Sequence, residues 1–203
     1  MESEILLKAT EMFLAQGYKT VTMDDIASEL SISKKTIYQY YSSKPELIEK
    51  SLVYLNQKFI EQLEITIAKN HGAIEEIVMS HEDIDKIFAI DASASLYQLN
   101  KYYPKVCEKQ KAFHRKKYLH IIQRNLEKGI KEGVYRNNID IEYVSRFHLA
   151  SVCAIDDIEY FPIEEFDQKE IHSQHLEYHI RSIATEKGVQ LFEKLIKDKN
   201  TNE

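Results

Sequence analysis

Tryptophan is absent from these 203 residues, and only five glycines, three prolines and two cysteines occur among them. So few chain breakers argue against a fold of many short strands and tight turns, and favour long helices. Two cysteines, Cys107 and Cys153, do not make a disulfide framework in a chain of this length. Cys153 lies in the apolar run Ala150 to Ile155 and is expected to be buried and inert, because a redox switch needs an exposed, acidic thiol. Cys107, beside Glu108 and Lys109, gives no clear sign either way. No run approaches the roughly 18 apolar residues that span a membrane. The Met-Glu-Ser-Glu start lacks the basic and apolar regions of a secretory signal, so a cytoplasmic protein is expected.

Catalytic signatures are missing too. There is no Gly-x-Ser-x-Gly, no glycine-rich phosphate loop, no His-Glu-x-x-His and no cysteine pair at zinc spacing. No enzymatic activity and no cofactor are expected. The formal net charge of −6 makes a surface basic over its whole extent impossible, so any nucleic-acid footprint has to be local.

What is present is helical periodicity in a chain that is 43% apolar and 30% charged. It predicts helices over 3–16, 44–69, 73–80, 82–101, 104–132, 140–160, 170–184 and from Thr185 to about 197. Gly17 and Gly133 stand as carboxy-terminal stops. The expected class is all-α.

Residues 22–44 carry the chemistry. Thr22 is placed to cap a helix, with Asp25 in its first turn, and Ile26, Ala27 and Leu30 line one face. Ser31-Ile32-Ser33 then interrupts the pattern, and Ser33 can cap a second helix from Lys34, expected to run about three turns. This spacing fits a helix-turn-helix. At 100° per residue, Ile37 and Tyr41 fall on the inner side of that helix and Lys35, Thr36 and Gln39 on the outer, flanked by Tyr38 and Tyr40. The outer group suits a DNA groove: lysine for phosphate or guanine, glutamine for adenine, threonine for phosphate or a thymine methyl, tyrosine hydroxyls for phosphates. Lys44 enters the next helix, where Ser43 and Glu46 make a second capping pattern and another phosphate can sit. No acidic residue occurs from Lys34 to Lys44.

The match extends beyond the turn. Ala9-Thr-Glu-Met-Phe13-Leu-Ala-Gln-Gly17-Tyr18, Thr22, Asp25-Ile26-Ala27, Ile32-Ser33-Lys34, Thr36-Ile37-Tyr38, Tyr40-Tyr41, Lys44 and Leu47 resemble the amino-terminal signature of TetR-type transcriptional regulators. Val21, Ser31 and Tyr41 depart from residues common in that family, without removing a DNA-contacting group. The resemblance implies a helix-turn-helix DNA-binding domain over 1–47 and a helical effector-binding and dimerisation domain over 48–203. It implies a homodimer on a near-palindromic double-stranded operator, most often a repressor released by a small-molecule effector. It carries phosphate contacts to Thr22, Tyr38, Tyr40 and Lys44, and sets Lys34, Lys35, Thr36 and Gln39 along the recognition helix. In the family the last long helices of the body pair with their copies, which points to 140–160 and 170–184.

Tyr97, Tyr118 and His148 are the candidate effector-lining groups, each an apolar ring with a polar tip. His172, His175 and His179 share a helix face at i, i+3 and i+7, the basis of an alternative, metal-responsive regulator. Successive turns spread three such ligands over roughly 10 Å, too far for one ion, so no metal site is assigned. A helical protein-interaction module is the remaining alternative.

Overall fold

Several of the helices start at a side-chain cap that the local sequence supplies, Thr22, Ser33 and Asp167 among them. The computed structural model describes residues 1–87, 93–155, 157, 159–162 and 164–200. Among these lie ten helices: α1 Glu2–Gln16, α2 Met23–Glu29, α3 Lys34–Tyr38, α4 Lys44–Ala68, α5 Ala73–Ile87, α6 Ser93–Tyr102, α7 Pro104–Lys131, α8 Ile141–Ile155, α9 Gln168–Ile183 and α10 Glu186–Asn200. No strand occurs among the described residues, only an isolated bridge between Tyr135 and Ala184. The fold is all-α. None of the described helices is long and apolar enough to cross a membrane.

The chain divides into two compact units, Met1–Glu61 with Ile87–Arg115, and Gln62–Lys86 with Lys116–Glu203. In the first, Ile5, Ala9 and Phe13 of α1 meet Ile26 of α2, Ile37 of α3 and Leu47 and Ile48 of α4 in one core. Tyr18 stacks on Phe13 with ring centroids 5.4 Å apart. Fully buried side chains of this size each stabilise by about 1.5–3 kcal/mol. Gly17 stops α1 with φ 99°, a backbone that side-chain-bearing residues rarely adopt.

Helix α6 docks on this unit. Ser95 donates its hydroxyl to the carbonyl of Leu14 at 2.8 Å, and the Lys19 N–H donates to Gln98 Oε1 at 2.9 Å. The Gln98 side chain fills the space where a Cβ at Gly17 would stand.

The second unit has its own core, with Ile74, Val78, Leu126, Tyr135, Leu176, Ile180 and Phe192. Inside it sits a carboxylate. Glu76 is only 2% exposed and is held by Arg124 Nη2 at 2.7 Å, Lys128 Nζ at 3.0 Å and Asn125 Nδ2 at 3.1 Å. The Tyr135 hydroxyl completes the set by donating to Asn125 Oδ1 at 3.0 Å.

Three histidines stack where α8 meets α9. The His148 ring lies 3.9 Å from that of His179 and 5.2 Å from that of His175, centroid to centroid. His175 Nε2 is 2.7 Å from the hydroxyl of Ser151. By contrast, His148 Nδ1 and His179 Nε2 are buried without a hydrogen-bond partner among the described residues. Burial, reinforced by His179, His175 and His81, holds His148 well below the ordinary imidazole range, and burial with His175 takes His179 down to about 4.

Several expectations change. The break predicted near 81 is absent because α5 runs on to Ile87, and residues 88–92, part of the predicted 82–101 helix, lie outside the described residues. Helix α8 ends at Ile155 rather than 160, with 156 and 158 outside the described residues. The start of α9 is Gln168 because Asp167 caps it, accepting from Glu170 N at 2.9 Å. Cys153 is exposed, not buried: α8 turns that part of its apolar circumference outward. Cys107 is the buried thiol, donating to Asn100 Oδ1 at 2.9 Å.

Two outcomes follow for stability. Replacing Arg124 and Lys128 together with leucine strands the Glu76 carboxylate and should cost about 3–5 kcal/mol in urea unfolding, more than Glu76→Leu, which removes the buried charge. Equal losses would mean that the carboxylate is not the costly member. For the histidines, the folded state favours the neutral ring while the unfolded chain takes up protons near pH 6.5. The stability they contribute is therefore complete above pH 6.5 and lost as pH falls toward about 4. The loss for His179 should be on the order of 3 kcal/mol. In His148→Phe/His179→Leu, thermal unfolding should be flatter across that window; an unchanged slope would assign the acid sensitivity elsewhere.

Candidate nucleic-acid interface

The first side of the interface is built by reciprocal capping. Thr22 Oγ1 accepts from the Asp25 N–H at 3.2 Å, while the Thr22 N–H and hydroxyl both donate to Asp25 Oδ2 at 2.8 Å. These hydrogen bonds hold the Asp25 carboxyl below its ordinary value. They also occupy the Thr22 proton, so a phosphate at Thr22 has to compete with Asp25 for it.

The turn brings α3 across α2. Ser31 takes φ 53°, and Ser33 caps α3 by accepting from the Thr36 N–H at 3.1 Å. Helix α3 covers five residues, Lys34–Tyr38, shorter than the three turns expected. Helical turns nonetheless continue it, because the N–H groups of Tyr40 and Tyr41 both donate to the Ile37 carbonyl at 3.0 Å. Ile37 and Tyr41 are buried as predicted by the periodicity, and Tyr41 donates its hydroxyl to the Glu2 carbonyl at 3.3 Å.

Outward stand Lys35, Gln39, Tyr38 and Tyr40, all exposed, the two tyrosines at 44% and 40%. Thr36 is half-buried, its hydroxyl 2.8 Å from that of Ser33. Lys34 is not free: Asp24 holds its ammonium at 2.6 Å and raises its pKa. Both partners are largely solvated and such exposed pairs are weak, so a phosphate can displace Asp24. This carboxylate was not evident from the acid-free run of sequence, since it comes from α2, ten positions away.

Lys44 stands apart from the others by being half-buried, and desolvation lowers its pKa. Its ammonium donates to the Lys19 carbonyl at 3.0 Å and lies about 6 Å from the rings of Phe13 and Tyr103. The neighbouring cap differs from the expected one: Glu46 accepts from the N–H and hydroxyl of Ser42 at 2.7 and 2.5 Å, while Ser43 Oγ accepts from Glu46 N at 3.3 Å.

The effector candidates fall in different places. Tyr97 belongs to α6 in the first unit, its ring exposed and its hydroxyl accepting from Lys101 at 2.9 Å. Tyr118 on α7 and His148 on α8 belong to the second unit, and burial pushes the Tyr118 phenol up. A surface hollow of about 510 Å³ in that unit is lined by Ile130, Tyr135, Arg136 and Thr185 among others, and touches neither of them. The histidines predicted to share one face split: His172 sits 5.9 Å from His81, ring to ring, while His175 and His179 pack on His148. Among the described residues no group of three or more histidine, cysteine or acidic side chains is arranged to hold a metal.

Comparison with known proteins agrees with the architecture of the first unit. Residues 5–50 match the model for bacterial regulatory proteins of the tetR family. The HTH-type transcriptional repressor KstR2 of Rhodococcus jostii is 27% identical over 156 residues, 71% of this chain and 72% of its own. The negative transcriptional regulator IcaR of the Staphylococcus epidermidis biofilm operon is 33% identical over 63 residues, 31% of this chain and 34% of its own. In fold, the chain superimposes on a Saccharomonospora viridis transcriptional regulator solved with choline, with TM-score 0.71 and 19% identity over 91% of this chain and 97% of the other. The helix-turn-helix of residues 22–44, the matched segment around it and the helical fold agree: residues 5–50 match the DNA-binding segment of the tetR family, and the chain is similar in sequence and in fold to TetR-type transcriptional regulators.

Proposed function

We propose that the protein is a homodimeric repressor that binds a near-palindromic operator and is released from it by a small-molecule effector. Residues 1–47 bind DNA; residues 48–203 hold the effector and dimerise. The observation that carries this reading is the outward set of Lys35, Tyr38, Gln39 and Tyr40, exposed while Ile37 and Tyr41 are buried. Lys34, Thr36 and Lys44 flank it, and Thr22 reaches phosphate if Asp25 yields its hydroxyl. Gln39 and Lys35 read base edges, and the tyrosines and Lys44 fix register on the backbone.

The dimer reading rests on α8 and α9. Tyr143 and Phe147, one turn apart on α8, are 62% and 68% exposed, and Tyr178 on α9 is 73% exposed. Large apolar side chains grouped in this way suit burial against a second copy. A two-fold protein presents its recognition helices to half-sites roughly 34–36 Å apart.

Relatives named as repressors favour repression over activation, and a structural neighbour solved in complex with choline is in keeping with an effector in the body. Tyr118 and His148 are proposed to line that site; Tyr97, on α6, belongs to the first unit and is set apart from them. An effector shifts operator binding only by its difference in affinity for the DNA-competent and DNA-incompetent dimers.

Selection from a random duplex pool at physiological salt should enrich an inverted repeat, and Gln39→Ala should relax preference at one position of each half-site. No enrichment by the wild type would sink the operator reading. For the dimer, Phe147→Glu with Tyr178→Glu should halve the mass measured by light scattering while leaving the helical circular dichroism intact. A dimer that persists would remove α8 and α9 from the interface.

A further inference from the structure

The carboxy-terminal turn of α6 lies outside the segment matched at residues 5–50, yet it packs in the same compact unit. There, lysine and tyrosine side chains form a continuous cluster. Lys19 Nζ stands 4.1 Å above the ring of Tyr102. Lys101 Nζ lies 5.1 Å from the ring centre of Tyr97 and 5.8 Å from that of Tyr102. The cluster joins the helix-turn-helix through Lys44, whose ammonium donates to the carbonyl of Lys19.

Two features separate this cluster from an ordinary solvated face. Lys19 and Lys101 pair with no carboxylate among the described residues, a property they share with Lys35, Lys44, Lys50 and Lys105 of this unit, but they alone of these are set over the rings of Tyr97 and Tyr102. Their partners are tyrosines: each ammonium lies over a ring, and Lys101 also donates to the Tyr97 hydroxyl at 2.9 Å. A cation over a ring is oriented but keeps N–H donors for a further acceptor, unlike one neutralised by a carboxylate. A hydrogen bond with Lys19, helped by the charges of Lys19 and Lys101, lowers the Tyr102 pKa. Secondly, the cluster is held in place: Gln98 and Ser95 seat α6 on the loop after α1 through Lys19 N and Leu14 O.

We propose that Lys19, Lys101 and Tyr102 form a second contact to the DNA phosphate backbone, beside the helix-turn-helix and continuous with Lys44. This rests on the DNA-binding reading and adds to it a contact made by α6. Because phosphates carry no sequence information, the cluster contributes affinity and salt dependence but no base preference. Complementation of the α6 helix dipole by Lys101 explains that lysine alone; it does not explain the matching unpaired Lys19 beside it.

The test uses the full-length protein and a 30-base-pair duplex of arbitrary sequence, with binding followed by fluorescence anisotropy at several salt concentrations. Lys19→Gln/Lys101→Gln should reduce the slope of log affinity against log salt by about 1.8, on the basis of about 0.9 per phosphate contact, and weaken binding roughly tenfold at moderate salt. Lys19→Arg/Lys101→Arg should keep the wild-type slope, which separates lost charge from a disturbed seat for α6. If the glutamine pair leaves slope and affinity unchanged, or the arginine pair loses as much as the glutamine pair, the second contact is overturned. If the wild type binds no duplex at all, the DNA-binding reading falls and this inference with it.

Discussion

A helix of five residues cannot hold its own shape. Forming the first turn fixes several dihedrals for one hydrogen bond, so α3 exists because Ile37 is driven into the core beneath it. Ile37, wholly buried among Ile26, Phe13 and Tyr18, and Tyr41, pinned to the Glu2 carbonyl, fix the rotation of the helix about its axis. That rotation decides which side chains face outward. Lys35, Tyr38, Gln39 and Tyr40 are exposed as a consequence of what is buried, and a change in the core that turned α3 would redirect all four together.

The caps serve the same end by a different route. Thr22 and Asp25 satisfy each other's free backbone groups, and Ser33 does so for α3, so the interhelical turn has few alternative conformations. Ser31 accepts a left-handed backbone that glycine adopts more readily. It is tolerated because the N–H groups on either side remain bonded, Ser31 N to Ser28 O and Ile32 N to Ala27 O, both at 3.0 Å. The turn is thus held by its hydrogen bonds more than by the intrinsic preference of the residue that makes it.

The legible part of the sequence is the part governed by neighbours along the chain. Thr22, Ser33 and Gly17 act over a few residues, and each was readable as a cap or a stop; the alternation that buries Ile37 and exposes Gln39 was readable for the same reason. What depends on distant segments was not. Cys153 sits in an apolar run, yet whether that run faces a core or the outside is settled by which face of α8 meets α9. His179 had visible neighbours at i−4 and i−7, but the ring that packs most closely on it, His148, is more than thirty residues away. The same holds for Lys34, whose carboxylate partner comes from another helix, and for Lys19, whose aromatic partner lies on α6. Composition gave no hint of either pairing.

Charge placement resolves the apparent conflict between a net charge of −6 and DNA binding. Coulomb interactions between exposed groups fade over about 8 Å at physiological ionic strength, so the total charge of the molecule matters less to a phosphate than the few groups within that distance. Near α3 those groups are Lys34, Lys35 and Lys44, opposed by Asp24 and Asp25, and both acids are already engaged by Lys34 and Thr22. The remaining surplus of acid has another effect. It disfavours DNA at surfaces away from α3 and the Lys19–Lys101 cluster, so a net acidic chain with a local basic face approaches the duplex in few orientations. Discrimination between sequences must come from contacts at base edges, and Gln39, exposed at the end of α3, is the residue whose chemistry suits that task.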